Sequence, residues 1–418
     1  MSAAAVSFHD ARLRSRALLA LNAVGAAARR LGVERPRLDP GEIVAAARRQ
    51  AATDETGGES FREPLERYLA AAEAEAELHT FGRLAVRGML VASLANRFRL
   101  HAWARAHPEV REERIAAPWV IVGLPRTGTS LLSILLGQDP LARAPLTWEA
   151  ARPVPPPTLA DAAHDPRIAE CARETGQLLR LNPPLRAMHP WGPTIAQECV
   201  AFFMLDVRTL GVETQACVPS YGRWLESCDM APAYAQHRLA LQTLQSAQPT
   251  ERWVLKSPNH LWCLETLRAS YPDARIVWTH RDPGPVVTSL ASLNTAMQSI
   301  FTRRSDPRRV AEEWKHKARH AVQRGLAFDA SADPGWCCHV SYAELVADPV
   351  ATVRRIYRHF GDDVGMLHAR RMQAWMRERP QETFGRHAYD PADFGWSWDS
   401  LASEFRAYRE RFSIARER

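Results

Sequence analysis

The chain has 418 residues, 46% of them hydrophobic and 24% charged, with a formal net charge of +7. That balance fits a globular protein and excludes a disordered tail, a collagen and a coiled-coil rod. No apolar run approaches the ~18 residues of a membrane span, and basicity this mild and scattered suits an anionic small ligand rather than nucleic acid.

Seven cysteines, an odd number with no CxxC pair, give neither a disulfide framework nor a zinc ribbon. Reduced thiols in the cytoplasm are expected. No cluster of metal ligands is visible, and no metal is expected. Only three basic residues are lysines (Lys256, Lys315 and Lys317), so a lysine inside a motif stands out.

In chain order, residues 1–115 read as helical, rich in Ala, Leu, Arg and Glu with apolar residues at helical spacing. Arg12, Arg14 and Arg16 ahead of the small apolar stretch Ala17 to Ala28 loosely outline a secretory signal. Asp10 in that flank, Asn22 in the stretch and the leucines at 13, 18, 19 and 21 fit an ordinary amphipathic helix better. Pro40-Gly41 and Gly57-Gly58 punctuate the region. It carries no visible chemistry, so a helical cap or an oligomerisation surface, with a homodimer as one assembly, is its expected role.

Residues 116–418 read as an α/β domain. WVIVG (119–123), RWVLK (252–256), RIVWTH (275–280) and WCCHVSY (336–342) are apolar strand candidates. Helices are expected at Ser130 to Leu136, His260 to Leu267, from near Pro285, and through VATVRRIYRHFG. Apolar strands alternating with helices predict a parallel sheet covered on both faces, a P-loop-type α/β fold. Residues 150–250 form a mostly helical insertion on the acceptor side, opening with the loop Pro153 to Pro157.

Three motifs fall at strand ends, where open α/β sheets bind ligands. Gly123-Leu-Pro-Arg-Thr-Gly-Thr-Ser130 has the GxxxxGK[ST] spacing, with Thr129 in place of the lysine. Its backbone N–H groups and the following helix N-terminus suit a tetrahedral anion. Arg281 ends the third strand, and Ser289 lies about one turn into the next helix, so guanidinium and hydroxyl can converge on a second anion. Lys256 ends the second strand and is placed to stabilise charge on a transferring group. A proton acceptor is needed as well. Glu149 and His260 both follow strand ends, whereas His189 and Glu198, in MHPWGPTIAQECV, are weaker, acceptor-side candidates.

GLPRTGTSLL, VLKSPNHL, PDARIVWTHRDPGPVVTSL and VSYAELVADP, in that order, resemble the PAPS-dependent sulfotransferases (PAPS is 3′-phosphoadenosine-5′-phosphosulfate), nearest to a bacterial branch similar to tyrosylprotein and carbohydrate sulfotransferases. The resemblance spans roughly 117–400. It implies that Arg126, Thr127, Gly128, Thr129 and Ser130 hold the 5′-phosphosulfate, with Arg126 also catalytic, and that Arg281 and Ser289 hold the 3′-phosphate. It further implies that Lys256 stabilises the transfer and that Tyr342 meets adenine. Leu131 stands where the cytosolic branch has a stacking tryptophan. Glu149 resembles the glutamate base of the tyrosylprotein branch; His260 resembles the cytosolic histidine base more loosely. FGRHAY (384–389) and DFGW (393–396) are similar to the segment that closes over the nucleotide, with Arg386 and His387 as further phosphate contacts.

The implied reaction moves a sulfuryl group from PAPS to a hydroxyl, less readily an amine, of a small-molecule or carrier-bound acceptor. Two alternatives stay open. A nucleotide-dependent kinase would show magnesium-dependent ATP binding, and a non-catalytic nucleotide-binding module would transfer nothing. Trp191, Phe202, Phe203, Tyr221 and Trp224 are candidate linings of the acceptor pocket or plain core.

Overall fold

Each of the four apolar runs becomes a strand. The computed structural model describes residues 5–11, 13, 15–33, 35–378 and 386–417. Its strands in chain order are β1 (Ala5–Val6), β2 (Trp119–Val122), β3 (Ala142–Arg143), β4 (Arg252–Lys256), β5 (Arg275–His280), β6 (Cys337–Ser341) and β7 (Arg386–His387). The central sheet has the order β3-β4-β2-β5-β6, and every neighbouring pair is parallel. β1 and β7 form a separate parallel pair.

Alternate side chains of a strand point to opposite faces, so a strand covered on both sides must be apolar throughout. In β2, Trp119 and Ile121 join one core with Leu132, Leu135, Val353 and Ile356. Val120 and Val122 join the other, larger core. The helix Thr129–Leu136 and the helix Pro349–His359 cover the first face.

From β2 the chain runs to β3 and β4 on one side, then crosses to β5 and β6 on the other. The direction of winding therefore reverses about β2, and a crevice opens beyond the carboxyl ends of β4, β2 and β5. Register keeps those ends level: Ile121 pairs with Lys256, and Val122 with Trp278.

The N-terminal helices share the larger core with the insertion, because Phe61, Leu94 and Phe98 belong to the same apolar cluster as Phe203 and Tyr234. A buried ion pair ties the two regions. Arg97 of the helix Thr80–Ala106 meets Asp206 at 2.5 Å with neither side chain exposed, and donates to the Thr56 and Gly57 carbonyls. No helix among the described residues is long and apolar enough to cross a membrane.

Candidate active site

The loop after β2 needs both of its glycines. Gly123 has φ +137°, and a Cβ there would lie 2.7 Å from the Thr279 carbonyl. Gly128 has φ +87°, and a Cβ would lie 2.8 Å from Leu345 and 3.1 Å from Tyr342. Only glycine takes such backbone without strain. Thr127 pins the loop from inside, donating to the Leu124 carbonyl at 2.7 Å and facing Thr279 Oγ1 at 2.6 Å. Thr129 is buried where the helix begins. Arg126, at φ +68°, reaches outward and donates to the Met188 carbonyl at 2.9 Å, joining the loop to the insertion.

Lys256 meets this loop from β4. Its Nζ donates to Ser130 Oγ at 3.1 Å and to Glu198 Oε1 at 2.8 Å, and its side chain is 4% exposed. Burial pushes the Glu198 carboxyl up, but the charge of Lys256 and its hydrogen bond outweigh it, holding the carboxyl below its usual range. His189 shares this environment. Burial lowers its imidazole to about 4, with the Lys256 and Arg126 cations adding to the effect and Glu198 opposing it, so the ring is neutral at pH 7. Trp191 packs edge-on against it, ring centroids 5.1 Å apart.

Arg281, just beyond β5, closes the other side of the loop. Its Nη1 donates to the Arg126 carbonyl at 3.1 Å, and its guanidinium lies over the Tyr342 ring at 4.2 Å. Its remaining donors grip the Glu417 carboxylate, Nη2 at 2.8 Å and Nε at 3.0 and 3.1 Å from the two oxygens. Asp282 is not its partner. That carboxylate caps the helix Pro283–Gln298 through Gly284 N and accepts from Glu417 N at 2.7 Å. Inside the helix, Ser289 Oγ lies 3.4 Å from His387 Nδ1, and Ser292 Oγ lies 2.9 Å from His387 Nε2. Burial, with Arg126 nearby, lowers His387 to about 4. The backbone of Arg386 pairs with Ala5 in the small sheet; its side chain, with Phe384 and Gly385 of the FGRHAY motif, lies outside the described residues.

Two expected bases bond to partners other than the loop and Lys256. Glu149 is buried with both oxygens engaged: Oε1 accepts from Arg143 at 2.6 Å, and Oε2 from Leu146 N at 2.9 Å. It caps its own helix, Thr147–Ala151, and ties it to β3. His260 is fully buried, its Nδ1 2.7 Å from the Tyr234 hydroxyl and its ring packed edge-on against Phe203. Phe202, Phe203 and Tyr221 are core, whereas Trp224 donates to Glu63 away from the rim. The sequence also gave no sign of a three-residue cluster of potential metal ligands, Cys199, His237 and His260.

A profile of the sulfotransferase family matches residues 118–364, more than half of the chain and all five strands of the central sheet. The chain belongs to the sulfotransferase family. Among curated proteins no match is found. Two solved sulfotransferases resemble this one over most of their length. STF9 from Mycobacterium avium is 28% identical with a TM-score of 0.82, covering 90% of this chain and 97% of its own. STF1 from Mycobacterium tuberculosis is 29% identical with a TM-score of 0.79, covering 88% of this chain and 98% of its own. In this sulfotransferase a glycine-shaped anion loop, a buried lysine and a carboxylate-holding arginine meet at the carboxyl ends of three adjacent strands.

Proposed function

We propose that the enzyme transfers the sulfuryl group of PAPS to a hydroxyl of a small-molecule or carrier-bound acceptor. The supporting observation is Lys256: a buried ammonium bonded at once to Ser130 of the anion loop and to Glu198. The residues fit a doubly anionic nucleotide. Glu417 already presents a carboxylate to Arg281, which marks that guanidinium as an anion seat, and Tyr342 offers an aromatic surface between it and Gly128.

When bound, PAPS supplies the sulfuryl group. The loop N–H groups and Arg126 bind the 5′-phosphosulfate, aided by the helix Thr129–Leu136 behind them. Arg281 and Ser289 bind the 3′-phosphate and so select PAPS over ATP. Lys256 donates to the oxygen that gains charge as the sulfur–oxygen bond to phosphate breaks. Glu198 accepts the proton of the acceptor hydroxyl; its lowered pKa keeps it ionised at neutral pH, and Lys256 fixes the carboxylate beside Ser130. Glu149, expected as the base, has one oxygen taken by Arg143 and the other by the Leu146 N–H, and so holds the start of its own helix to β3. By analogy with phosphoryl transfer, such chemistry needs positioning and charge stabilisation more than covalent help.

The test is formation of adenosine 3′,5′-bisphosphate from PAPS across a panel of alcohols and phenols. Acceptor-dependent product that disappears in Lys256→Ala supports the reading. Magnesium-dependent ATP consumption without turnover of PAPS refutes it.

A further inference from the structure

Beneath the Lys256–Glu198 pair, three elements bring donor atoms together. Cys199 follows Glu198 directly, and its backbone N–H donates to the Lys256 carbonyl at 2.8 Å. His237 lies midway along the helix Ala231–Ala247, and His260 in the short helical turn Pro258–Trp262 that follows Lys256. A donor atom of each lies within 4.8 Å of the other two, and all three residues have no solvent exposure.

The two imidazoles are held alike. His237 Nδ1 lies 2.7 Å from the Tyr271 hydroxyl, and His260 Nδ1 lies 2.7 Å from the Tyr234 hydroxyl. Each Nε2 is buried without a partner. An orphaned buried polar atom destabilises the fold, and two in one pocket beside a thiol need an explanation. Metal-binding histidines characteristically fix the ring through the nitrogen that does not ligate, which is the arrangement of both tyrosines. Phe202 and Phe203 pack on the same rings and shut out bulk water.

We propose that Cys199, His237 and His260 form a structural site for a thiophilic d10 cation, Zn(II) or Cu(I). Each imidazole ligates through Nε2 with its proton on Nδ1. The thiol forms a sulfur–metal bond and releases its proton to solvent, with no change in oxidation state. Two neutral imidazoles and one thiolate suit a neutral trigonal Cu(I) adduct; Zn(II) would carry one positive charge and take a water as fourth ligand. No fourth His, Cys, Asp or Glu joins the cluster among the described residues. The site stands apart from the donor assignment. Its effect is to clamp the segment bearing Glu198 to the turn that follows Lys256.

The full-length protein, stripped of metal and reduced without thiols, is titrated with Co(II) as a spectroscopic probe, then with Zn(II) and Cu(I) against chromophoric chelators. One equivalent of Co(II) should give a thiolate-to-cobalt charge-transfer band with tetrahedral d–d bands. Cys199→Ser should abolish the charge-transfer band, and His237→Gln should weaken binding at least tenfold. The chelator competitions separate Zn(II) from Cu(I). If the variants fail to fold, X-ray absorption at the metal edge of the loaded wild type decides the matter, because one sulfur and two imidazole nitrogens should ligate the ion. A wild type that binds none of the three ions, a band that persists in Cys199→Ser, or a loaded wild type whose absorption edge shows no sulfur ligand overturns the site.

Discussion

Replacing Arg281 by alanine tests the second anion seat. Charge-assisted hydrogen bonds from a guanidinium are worth about 1.5–3 kcal/mol each way they are measured. In the free protein, however, the group already holds Glu417, with side chains 17% and 37% exposed, and a pair that wet contributes about 0.2–1 kcal/mol. An incoming phosphate must displace that carboxylate, so the net loss in Arg281→Ala should be about 0.5–2.8 kcal/mol, or roughly 2–110-fold in Kd. Titration calorimetry with adenosine 3′,5′-bisphosphate should show this loss, while adenosine 5′-monophosphate, which lacks the 3′-phosphate, should bind variant and wild type alike. Glu417→Gln should tighten the bisphosphate by about 1.5–5-fold by removing the competing charge, and should do nothing in the Arg281→Ala background, because the two side chains act on one site. Equal weakening of both nucleotides in Arg281→Ala, or weaker binding in Glu417→Gln, would refute the reasoning.

Glu198→Gln should cut turnover by about 10²–10⁴-fold with nucleotide binding preserved, whereas Glu149→Gln should lower the unfolding midpoint and leave nucleotide affinity within about twofold; the reverse pattern in steady-state kinetics and melting would restore Glu149 as the base. Asp206→Ala leaves Arg97 buried without its carboxylate and should cost about 3–5 kcal/mol in urea unfolding; a loss under about 1 kcal/mol would show that the pair does not join the N-terminal helices to the insertion. His189 and His387 are lowered to about 4 in the folded protein against 6.5 for an ordinary histidine, so the unfolded chain takes up more protons between those values. Stability is therefore full above about pH 6.5 and falls as pH drops toward 4, and the decline in urea midpoint should be shallower in His387→Asn.

The sheet was legible because strands buried on both faces must be apolar without interruption, as Trp119–Val122 is. β3 was not: two half-buried residues at an edge carry no such pattern. The glycine loop was legible from spacing alone, and Lys256 from its rarity in an arginine-rich chain. Arg281 was legible as a cation at a strand end, and the structure sets it against the Arg126 carbonyl, whereas Ser289 faces His387, which lies too far along the chain for spacing to reveal. The proposed base was harder. Glu198 and His189 reach the rim only through the path of the long insertion, which no local periodicity specifies. The capping contacts of Glu149 carried a local signal, since a glutamate three residues after Leu146 at a helix start is placed to cap that backbone, with Arg143 six residues upstream. Glu417 on Arg281, and the meeting of Cys199, His237 and His260, join positions too distant in sequence for spacing to reveal.

The most direct measurement of the central claim is thermal unfolding of the full chain with adenosine 3′,5′-bisphosphate beside magnesium–ATP at equal concentration. Ligand that binds only the native state raises stability by about 2.7 kcal/mol at a hundredfold excess over Kd. A marked rise in Tm with the bisphosphate and little with magnesium–ATP is the predicted result. Stabilisation by magnesium–ATP with none from the bisphosphate would contradict the assignment of the two anion seats to PAPS.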